Sequence, residues 1–406
     1  MKKIILLILT FLVIAAMLVL FANLRGADKI SAFGETKEDK NVIYIGVYEP
    51  LTGDYMLGGL SEALGIRYAN SICPEVTIDG VTYEIQLVEA DAAKAEAGST
   101  DAADKLTASK VSAVLGSYGD KLTAVGLAQF NGSGLPVVGI SCTSQLATAE
   151  QTGYFRLCCT DSFQSGIIAN LAYGMDLRHA AVLTQTGDEY SKKAGKIFKE
   201  AFTKLGGEVS DFSFQLGQEN FRALAGDVDG SDTDFVVMFS GVSEASYFIK
   251  QSREEGLSCP IIGPESWDSA LLLTEVTNSA REVYFTSEFD SSPTTGPVSA
   301  EFASSFSDWL DEDSNRIAAN GGGNYTSASS AMAYDAYMLV VQAIKRAGST
   351  DPKEIMTALS TISYEGVSGN ISFTDKGEAV KNQVFIKTIN VSSKQFDVLQ
   401  ISSIGK

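Results

Sequence analysis

The chain has 406 residues, of which 45% are apolar and 20% are charged, so it is long enough for two or three globular domains. Its 50 acidic residues outnumber its 31 basic residues and give a formal charge of −19. This excess of acid argues against binding to DNA or RNA, which requires a basic surface facing the phosphates.

The N-terminal sequence has the pattern of an export signal. Two lysines precede an apolar stretch over residues 4–21, in the order of a signal peptide's n-region and h-region. As a helix this stretch would span roughly 27 Å, so a retained membrane anchor is the alternative. We expect a signal peptide or anchor over residues 1–26 and a polar tether over residues 27–40. No cysteine precedes Cys73, so the lipid-attachment cysteine of a lipoprotein is not expected.

The first half of the remaining chain alternates strand patterns with helix patterns. Apolar runs predict strands at 42–47, 83–90, 111–116, 135–140 and 154–159, and helical spacing predicts helices at 92–109 and 120–130. A strand that is followed by a helix and another strand implies parallel pairing with right-handed crossovers.

The rhythm then repeats in a second unit. Strands are predicted at 180–185, 234–239, 259–263 and 282–286, and helices at 163–175, 191–205 and 243–255. Two further helices are predicted at 327–347 and 351–359, the second with Asp351 as its N-cap. Alternating runs at 366–374, 382–390 and 395–401 predict strands at an antiparallel edge.

Five stretches, taken in order, resemble the substrate-binding proteins of branched-chain amino acid ABC importers, the leucine/isoleucine/valine-binding type of periplasmic binding protein. They are GVYEPLTGDY (46–55), SCTS (141–144), GPESWDS (263–269), the helical region 334–359 and YEGVSGNISFTDKGEAVK (364–381). The resemblance covers about residues 42–392, nearly all of the exported part.

This resemblance implies an α/β fold with two Rossmann-like lobes joined by a three-crossing hinge, the type I periplasmic binding protein fold. Lobe 1 would comprise residues 41–160 plus 287–362, and lobe 2 residues 161–286 plus 363–406. A small ligand would sit between the lobes, which close on it by a hinge. The closed form would then dock on an ABC permease in the membrane.

The resemblance also implies a site for an amino acid. Ser141 and Thr143 match the residues that hold the ligand's carboxylate, and Glu265 matches the acid that takes its ammonium group. Trp267 would wall the pocket, and Tyr190 matches a ligand-facing tyrosine. Each position has an ordinary alternative: Ser141 and Thr143 as turn residues, Glu265 as a helix N-terminal acid, and Tyr190 as a residue packed at a helix cap.

The stretch GSYGDKLTAVG (116–126) departs from the family, which has small hydroxyl residues there. This chain has Tyr118 and Asp120 instead. Asp120 could be the N-cap of the following helix. If it faces the cleft, it would repel a carboxylate and favour a second cation, so a polar or cationic amino acid, or an amide, stays open beside leucine, isoleucine and valine.

The function predicted from these observations is that of a non-enzymatic, extracytoplasmic solute-binding protein. We expect it to act as a monomer without a cofactor or metal, in the periplasm or on the outer face of the cell membrane. A single histidine argues against a His-ligated metal site and a Ser-His-Asp triad. The alternative is a ligand-sensing module of the same fold, anchored permanently by its N-terminal segment.

Overall fold

The structure is a computed structural model that describes residues 41–93, 95–144, 152–292, 296–381 and 383–403. The expected signal peptide or anchor and the tether, residues 1–40, lie outside these ranges. Within them, no helix is both long enough and apolar enough to cross a bilayer.

In the described part of the chain, the first sheet has six strands, and three helices lie between them in sequence. The strands are β1 (Val42–Glu49), β2 (Glu75–Ile78), β3 (Val81–Asp91), β4 (Ala113–Leu115), β5 (Val137–Gly139) and β6 (Tyr154–Arg156), and the helices are α1 (Met56–Ile72), α2 (Ala95–Ala108) and α3 (Asp120–Ser133). Their order across the sheet is β2-β3-β1-β4-β5-β6. All neighbours pair in parallel except β2 with β3, so the predicted parallel sheet is confirmed.

The middle of the chain builds most of the second sheet. Its strands are β7 (His179–Thr186), β8 (Glu208–Gln215), β9 (Phe235–Phe239), β10 (Ile261–Gly263) and β11 (Val283–Ser287). The helices around them are α4 (Asp161–Gly174), α5 (Glu189–Leu205), α6 (Arg222–Asp229), α7 (Val242–Glu254) and α8 (Ala270–Val276). These five strands pair in parallel.

The C-terminal part of the chain adds strands to the second sheet and packs helices and a hairpin near the first. It comprises α9 (Pro297–Asp311), α10 (Ser314–Ala319), α11 (Ala328–Ala347), α12 (Pro352–Ser360), β12 (Ser363–Gly366), β13 (Gly369–Ser372), β14 (Gln383–Asn390) and β15 (Gln395–Ser403). The second sheet has the order β15-β14-β11-β10-β9-β7-β8, with β14 antiparallel to both neighbours. The predicted antiparallel edge is therefore confirmed for β14 and β15.

Residues 363–372 form a separate hairpin, where the sequence had predicted one strand at 366–374. This hairpin lies against the first sheet's core, although we had expected residues 363–381 in lobe 2. Val367 and Ile371 are buried in the apolar cluster of α1 and α11, and Arg156 pairs with Glu378 at 2.9 Å. The chain therefore reaches the second sheet after β13, with β14 as its next strand there.

The helices begin and end at residues whose chemistry suits those positions. Asp188 caps α5 by accepting a hydrogen bond from the Ser191 N–H, and Gly206, with φ of 100°, ends that helix. Asp351 accepts from the Lys353 N–H and caps α12, as predicted. These signals fix where each helix starts, and thereby where the loop before it can present side chains.

The parallel strands leave their carboxyl ends at one edge of each sheet. In an open α/β sheet this edge is where loops hold ligands, because the strands supply a rigid base and the loops do not carry the core. The buried patterns of β1, β4, β9 and β10 show that these strands are central in their sheets. The loops that follow them line one cavity.

Candidate functional site

The cavity has a volume of about 600 Å³ and lies between loops of the two sheets. The first sheet contributes residues after β1, β4 and β5, and the second contributes residues after β7, β8, β9 and β10. A volume of this size suits a small molecule rather than a macromolecule. Six of the seven site residues predicted from the sequence line it: Tyr118, Asp120, Ser141, Thr143, Tyr190 and Glu265.

Ser141 and Thr143 lie on the loop that leaves β5. Their side chains are 9% and 2% exposed, yet both residues line the cavity. The Ser141 hydroxyl has no hydrogen-bond partner of good geometry, although it is near enough to the Glu62 carboxyl to lower that group's pKa. A buried hydroxyl without a partner costs free energy, so it is a natural contact for a polar ligand atom.

Glu265 belongs to the second sheet's side of the cavity, whereas Ser141 belongs to the first sheet's side. Glu265 directly follows β10 and Pro264. Its Oε2 atom is buried and has no hydrogen-bond partner. Burial, with the nearby charge of Glu288, raises the pKa of Glu265 to about 8. A cation placed in the cavity would stabilise the ionised form and reverse this shift. Glu265 begins a short 3-10 turn rather than a full helix, so the helix N-terminal role does not account for it.

Asp120 faces the loop after β5 instead of capping its own helix. Gly119 occupies the N-cap position of α3, so the N-cap alternative is wrong. The Asp120 Oδ1 atom accepts hydrogen bonds from the Ser144 N–H at 3.2 Å and the Cys142 thiol at 3.3 Å. Burial, with the charge of Asp161, raises the pKa of Asp120 to about 6.

Two tyrosines frame the space beside Glu265. The Tyr118 ring packs over Gly58, where an added Cβ would lie 2.5 Å from the ring, so a side chain at residue 58 would displace it. Tyr190 lies in the first turn of α5 and also packs against the second sheet's core. Burial, with the charge of Glu265, raises the pKa of both phenols, so both stay protonated at neutral pH.

Trp267 does not line the cavity, and the expectation that it walls the pocket is wrong. Its side chain is fully buried in the second sheet's core, and its Nε1–H donates to the Ser240 hydroxyl at 3.3 Å. An added Cβ at Gly263 would lie 2.2 Å from the indole, so this glycine makes room for the ring. Trp267 therefore supports the turn that carries Glu265.

Sequence reasoning missed one contact that crosses the cavity. The Tyr55 hydroxyl, just before α1, donates to Asp188 Oδ2 at 3.0 Å, and Asp188 is the N-cap of α5. Tyr55 stands at the end of the GVYEPLTGDY motif, but nothing in that motif marks the tyrosine as a partner of a residue 133 positions away.

A buried pair of carboxyl groups, Glu49 and Glu62, was also missed. Both residues are fully buried behind the Ser141 loop. Glu49 Oε2 accepts from the Tyr118 N–H at 2.9 Å, which ties the pair to the cavity wall. Burial raises the pKa of each carboxyl, and the neighbouring Glu62 raises that of Glu49 further. The sequence signal was only that both carboxylates flank apolar residues.

Among the described residues, no group of three or more His, Cys, Asp or Glu side chains could hold a metal ion. All five cysteines are free.

Comparisons with known proteins agree with this geometry. Residues 42–395 match the model of the periplasmic binding protein family. A Leu/Ile/Val-binding protein homolog 1 of Brucella melitensis is 23% identical over 366 residues, which are 88% of this chain and 92% of the relative. A branched-chain amino acid transporter substrate binding protein of Streptococcus pneumoniae, solved with isoleucine, is 26% identical and superposes with a TM-score of 0.78 over 90% of this chain and 99% of that one.

A second solved structure carries a different ligand. A solute binding protein of an ABC transporter from Rhodopseudomonas palustris, in complex with 3,4-dihydroxy benzoic acid, is 20% identical and has a TM-score of 0.78, over 90% of this chain and 98% of that chain.

Two α/β halves around a shared cavity define a type I periplasmic binding protein, which confirms the predicted fold class. The chain belongs to the periplasmic binding protein family. The resemblance seen in the sequence is thereby confirmed, and with it the class of solute-binding proteins that serve ABC transporters.

Proposed function

We propose that this protein captures an amino acid or a related small polar solute between its two halves and delivers it to an ABC importer. The observation that carries this proposal is that Glu265 and Ser141 line the same cavity and that each has a buried polar atom, Oε2 and the hydroxyl oxygen, without a hydrogen-bond partner. The first would take a ligand ammonium group, and the second, with Thr143, would donate to a ligand oxygen. Tyr118, Tyr190 and Asp120 would complete the walls.

The protein would bind its solute without transforming it. A binding protein needs a preformed cavity and a closing motion, and the cavity supplies the first of these. We propose that it acts as a monomer outside the cytoplasm and presents its closed form to a membrane permease. Relatives named for leucine, isoleucine and valine binding, and a structural neighbour with an aromatic acid, support this class of ligand.

A thermal-shift screen of the purified protein tests the proposal. The panel contains the twenty amino acids, simple amides, short amines and benzoates. A ligand that binds only the folded state adds about 2.7 kcal/mol of stability at a hundred times its dissociation constant, so a true ligand raises the melting temperature. If no compound raises it, the solute-binding proposal is contradicted.

Variants at the two unpartnered groups locate the site. S141A and E265Q should each weaken binding of the hit about tenfold or more, since each removes a polar contact worth roughly 1–3 kcal/mol. The matched control is S109A, at a half-buried serine directly after α2 that does not line the cavity. Unchanged affinity in both site variants would place the ligand elsewhere.

The fate of the N-terminal segment is a separate question. Mass spectrometry of the protein isolated from cells would give its first residue. Loss of about the first 26 residues is the result expected of an exported carrier with a cleaved signal. Retention of Met1 is the result expected of the anchored sensing module.

A further inference from the structure

The cavity holds its own carboxylate where a ligand carboxylate was expected. Asp120 Oδ1 accepts from both the Ser144 N–H and the Cys142 thiol, and both donors lie on the loop after β5. Donors of this kind at the end of a strand are what a bound carboxylate would use. Because Asp120 occupies them, a ligand carboxylate would meet a negative charge at this end of the cavity.

The remaining charges make the cavity acidic. Its lining includes six carboxyl groups, Asp54, Asp120, Asp188, Glu189, Glu244 and Glu265, but only two lysines, Lys121 and Lys193. Lys193 lies 2.9 Å from the buried Asp161, and its charge also lowers the pKa of Asp120, so one lysine serves two of the nearby carboxyl groups. Asp188 accepts from the Ser191 N–H and the Tyr55 hydroxyl, and Glu244 accepts from the Gly217 N–H. All three donors are neutral, so the two carboxyl groups have no positive partner among these contacts.

Among the residues that the structure describes, no lysine or arginine forms an ion pair with Glu265. Its Oε2 atom is buried and unpartnered, and the charges of Glu288, Asp161 and Asp120 all disfavour its ionisation. Tyr118 and Tyr190 also line the cavity, and the face of a tyrosine ring attracts a cation. Leu57, Leu122, Leu127 and Val242 also line the cavity and would suit an alkyl chain.

We propose that the ligand carries two cationic nitrogens on a short alkyl chain, with Glu265 and Asp120 as their two counter-charges. Diamines and basic amino acids share this chemistry. The inference rests on the proposed function, since it names the substrate class for the same cavity. Tyr118 and Tyr190 hold the alkyl-ammonium end, and the unpartnered Ser141 hydroxyl remains for a ligand oxygen where one is present.

Isothermal titration of the protein isolated from cells tests this. The probes are lysine, ornithine, putrescine and cadaverine, with leucine and isoleucine as neutral comparators. We expect the best of these four probes, each with two ammonium groups, to bind at least about tenfold more tightly than either comparator. Tight binding of putrescine or cadaverine would identify a diamine carrier, and binding restricted to lysine or ornithine would identify an amino acid carrier. Both results support the inference.

A variant distinguishes a specific role of Asp120 as the second counter-charge from the effect of the protein's overall negative charge. D120N should lower the affinity for the best diamine or basic amino acid at least about tenfold more than it lowers the affinity for leucine. The control D101N removes an exposed carboxylate on α2 and should change neither. Should D120N fail to fold, the ranking of ligands by the unmodified protein still decides the question.

Two results would overturn the inference in different ways. If leucine, isoleucine or another solute with at most one cationic nitrogen binds best, the proposal of two cationic nitrogens is wrong and the solute-binding function stands. If no small solute binds, the proposed function fails and the inference fails with it.

Discussion

Two carboxyl groups that do not contact solvent, those of Glu49 and Glu62, lie behind the cavity wall. Glu49 ends β1 and Glu62 lies in α1, so the packing of this helix on the sheet brings the two carboxyl groups together. Neither Glu62 oxygen has a hydrogen-bond partner of good geometry. Two buried carboxyl groups cannot both ionise cheaply, so protons are retained on this pair.

Because the Glu49–Glu62 pair retains protons in the folded protein, we expect the protein to lose stability as pH rises. Burial raises the pKa of Glu62 from 4.5 to about 7, so between these values the folded state binds more protons than the unfolded state. The free energy of unfolding therefore falls as pH increases through this window. E62Q should remove part of this fall, as measured by melting temperature between pH 5 and pH 8.

The control for E62Q is E75Q, which changes an exposed glutamate at the start of β2. It should reproduce the pH profile of the unmodified protein. A profile of E62Q that still falls as steeply would show that the buried pair does not cause the loss.

The sequence predicted the residues that line the cavity better than the buried residues that support them. Ser141, Thr143 and Glu265 follow strands within recognisable motifs, and the carboxyl ends of parallel strands converge. Trp267 belongs to the same motif as Glu265, but the 3-10 turn directs it into the core. Glu62 sits in a helix whose buried face could not be assigned from one sequence, because small residues surround it.

At the scale of elements, the packing of α1 against α11 sets the position of the loops before the cavity. Gly65 lies at the closest approach, where an added Cβ would meet the Ser330 carbonyl oxygen at 2.2 Å and Ala333 Cβ at 2.9 Å. The hydroxyl of Ser330 also donates to the Ser61 carbonyl oxygen at 3.0 Å. The two helices are therefore held backbone to backbone along this seam.

G65A should destabilise the protein by about 1–3 kcal/mol, because the new methyl group forces the helices apart. The matched control is G166A in α4, where an added Cβ has no neighbour within 4 Å. That change should be neutral or stabilising by about 0.5–1 kcal/mol, the ordinary effect of alanine in a helix. Chemical denaturation of both variants measures the difference, and equal effects would contradict the close-packing account.

Helices and strands were predicted correctly where the apolar pattern continued over a long enough segment of the chain. The helix α11 and the strands β7 and β9 fell within a residue or two of their predicted bounds. The strand predicted at 366–374 contains β13 but only the last residue of β12, so the hairpin was not predicted. Its place beside the first sheet depends on Val367 and Asp335, which are distant in sequence.

At the scale of the whole molecule, the chain passes between the sheets near Cys159, Glu288 and Lys381. Glu288 Oε1 accepts from the Cys159 N–H at 2.8 Å, and its Oε2 lies 3.8 Å from the Lys381 ammonium group. One carboxylate thus joins all three crossings. We propose that this cluster is the hinge, with the lobes on either side comprising residues 41–160 plus 287–381 and residues 161–286 plus 383–403.

The Tyr55–Asp188 contact predicts how closure is held. This hydrogen bond joins the two sides of the cavity, so Y55F should favour the open form and weaken ligand binding up to about tenfold, mainly through faster release. Stopped-flow measurement of the dissociation rate tests this. The control is Y247F, at a tyrosine that is 41% exposed on α7. An unchanged dissociation rate in Y55F would contradict the prediction.

Hydrogen–deuterium exchange with and without the best solute from the screen tests most directly whether one ligand is held from both sides. The account predicts simultaneous protection of the cavity loops, residues 116–120 and 141–144 from the first sheet with 187–190, 240–244 and 263–268 from the second. The distant β14–β15 hairpin should be unaffected. Protection confined to the loops of one sheet, or located outside the cavity, would contradict the central claim.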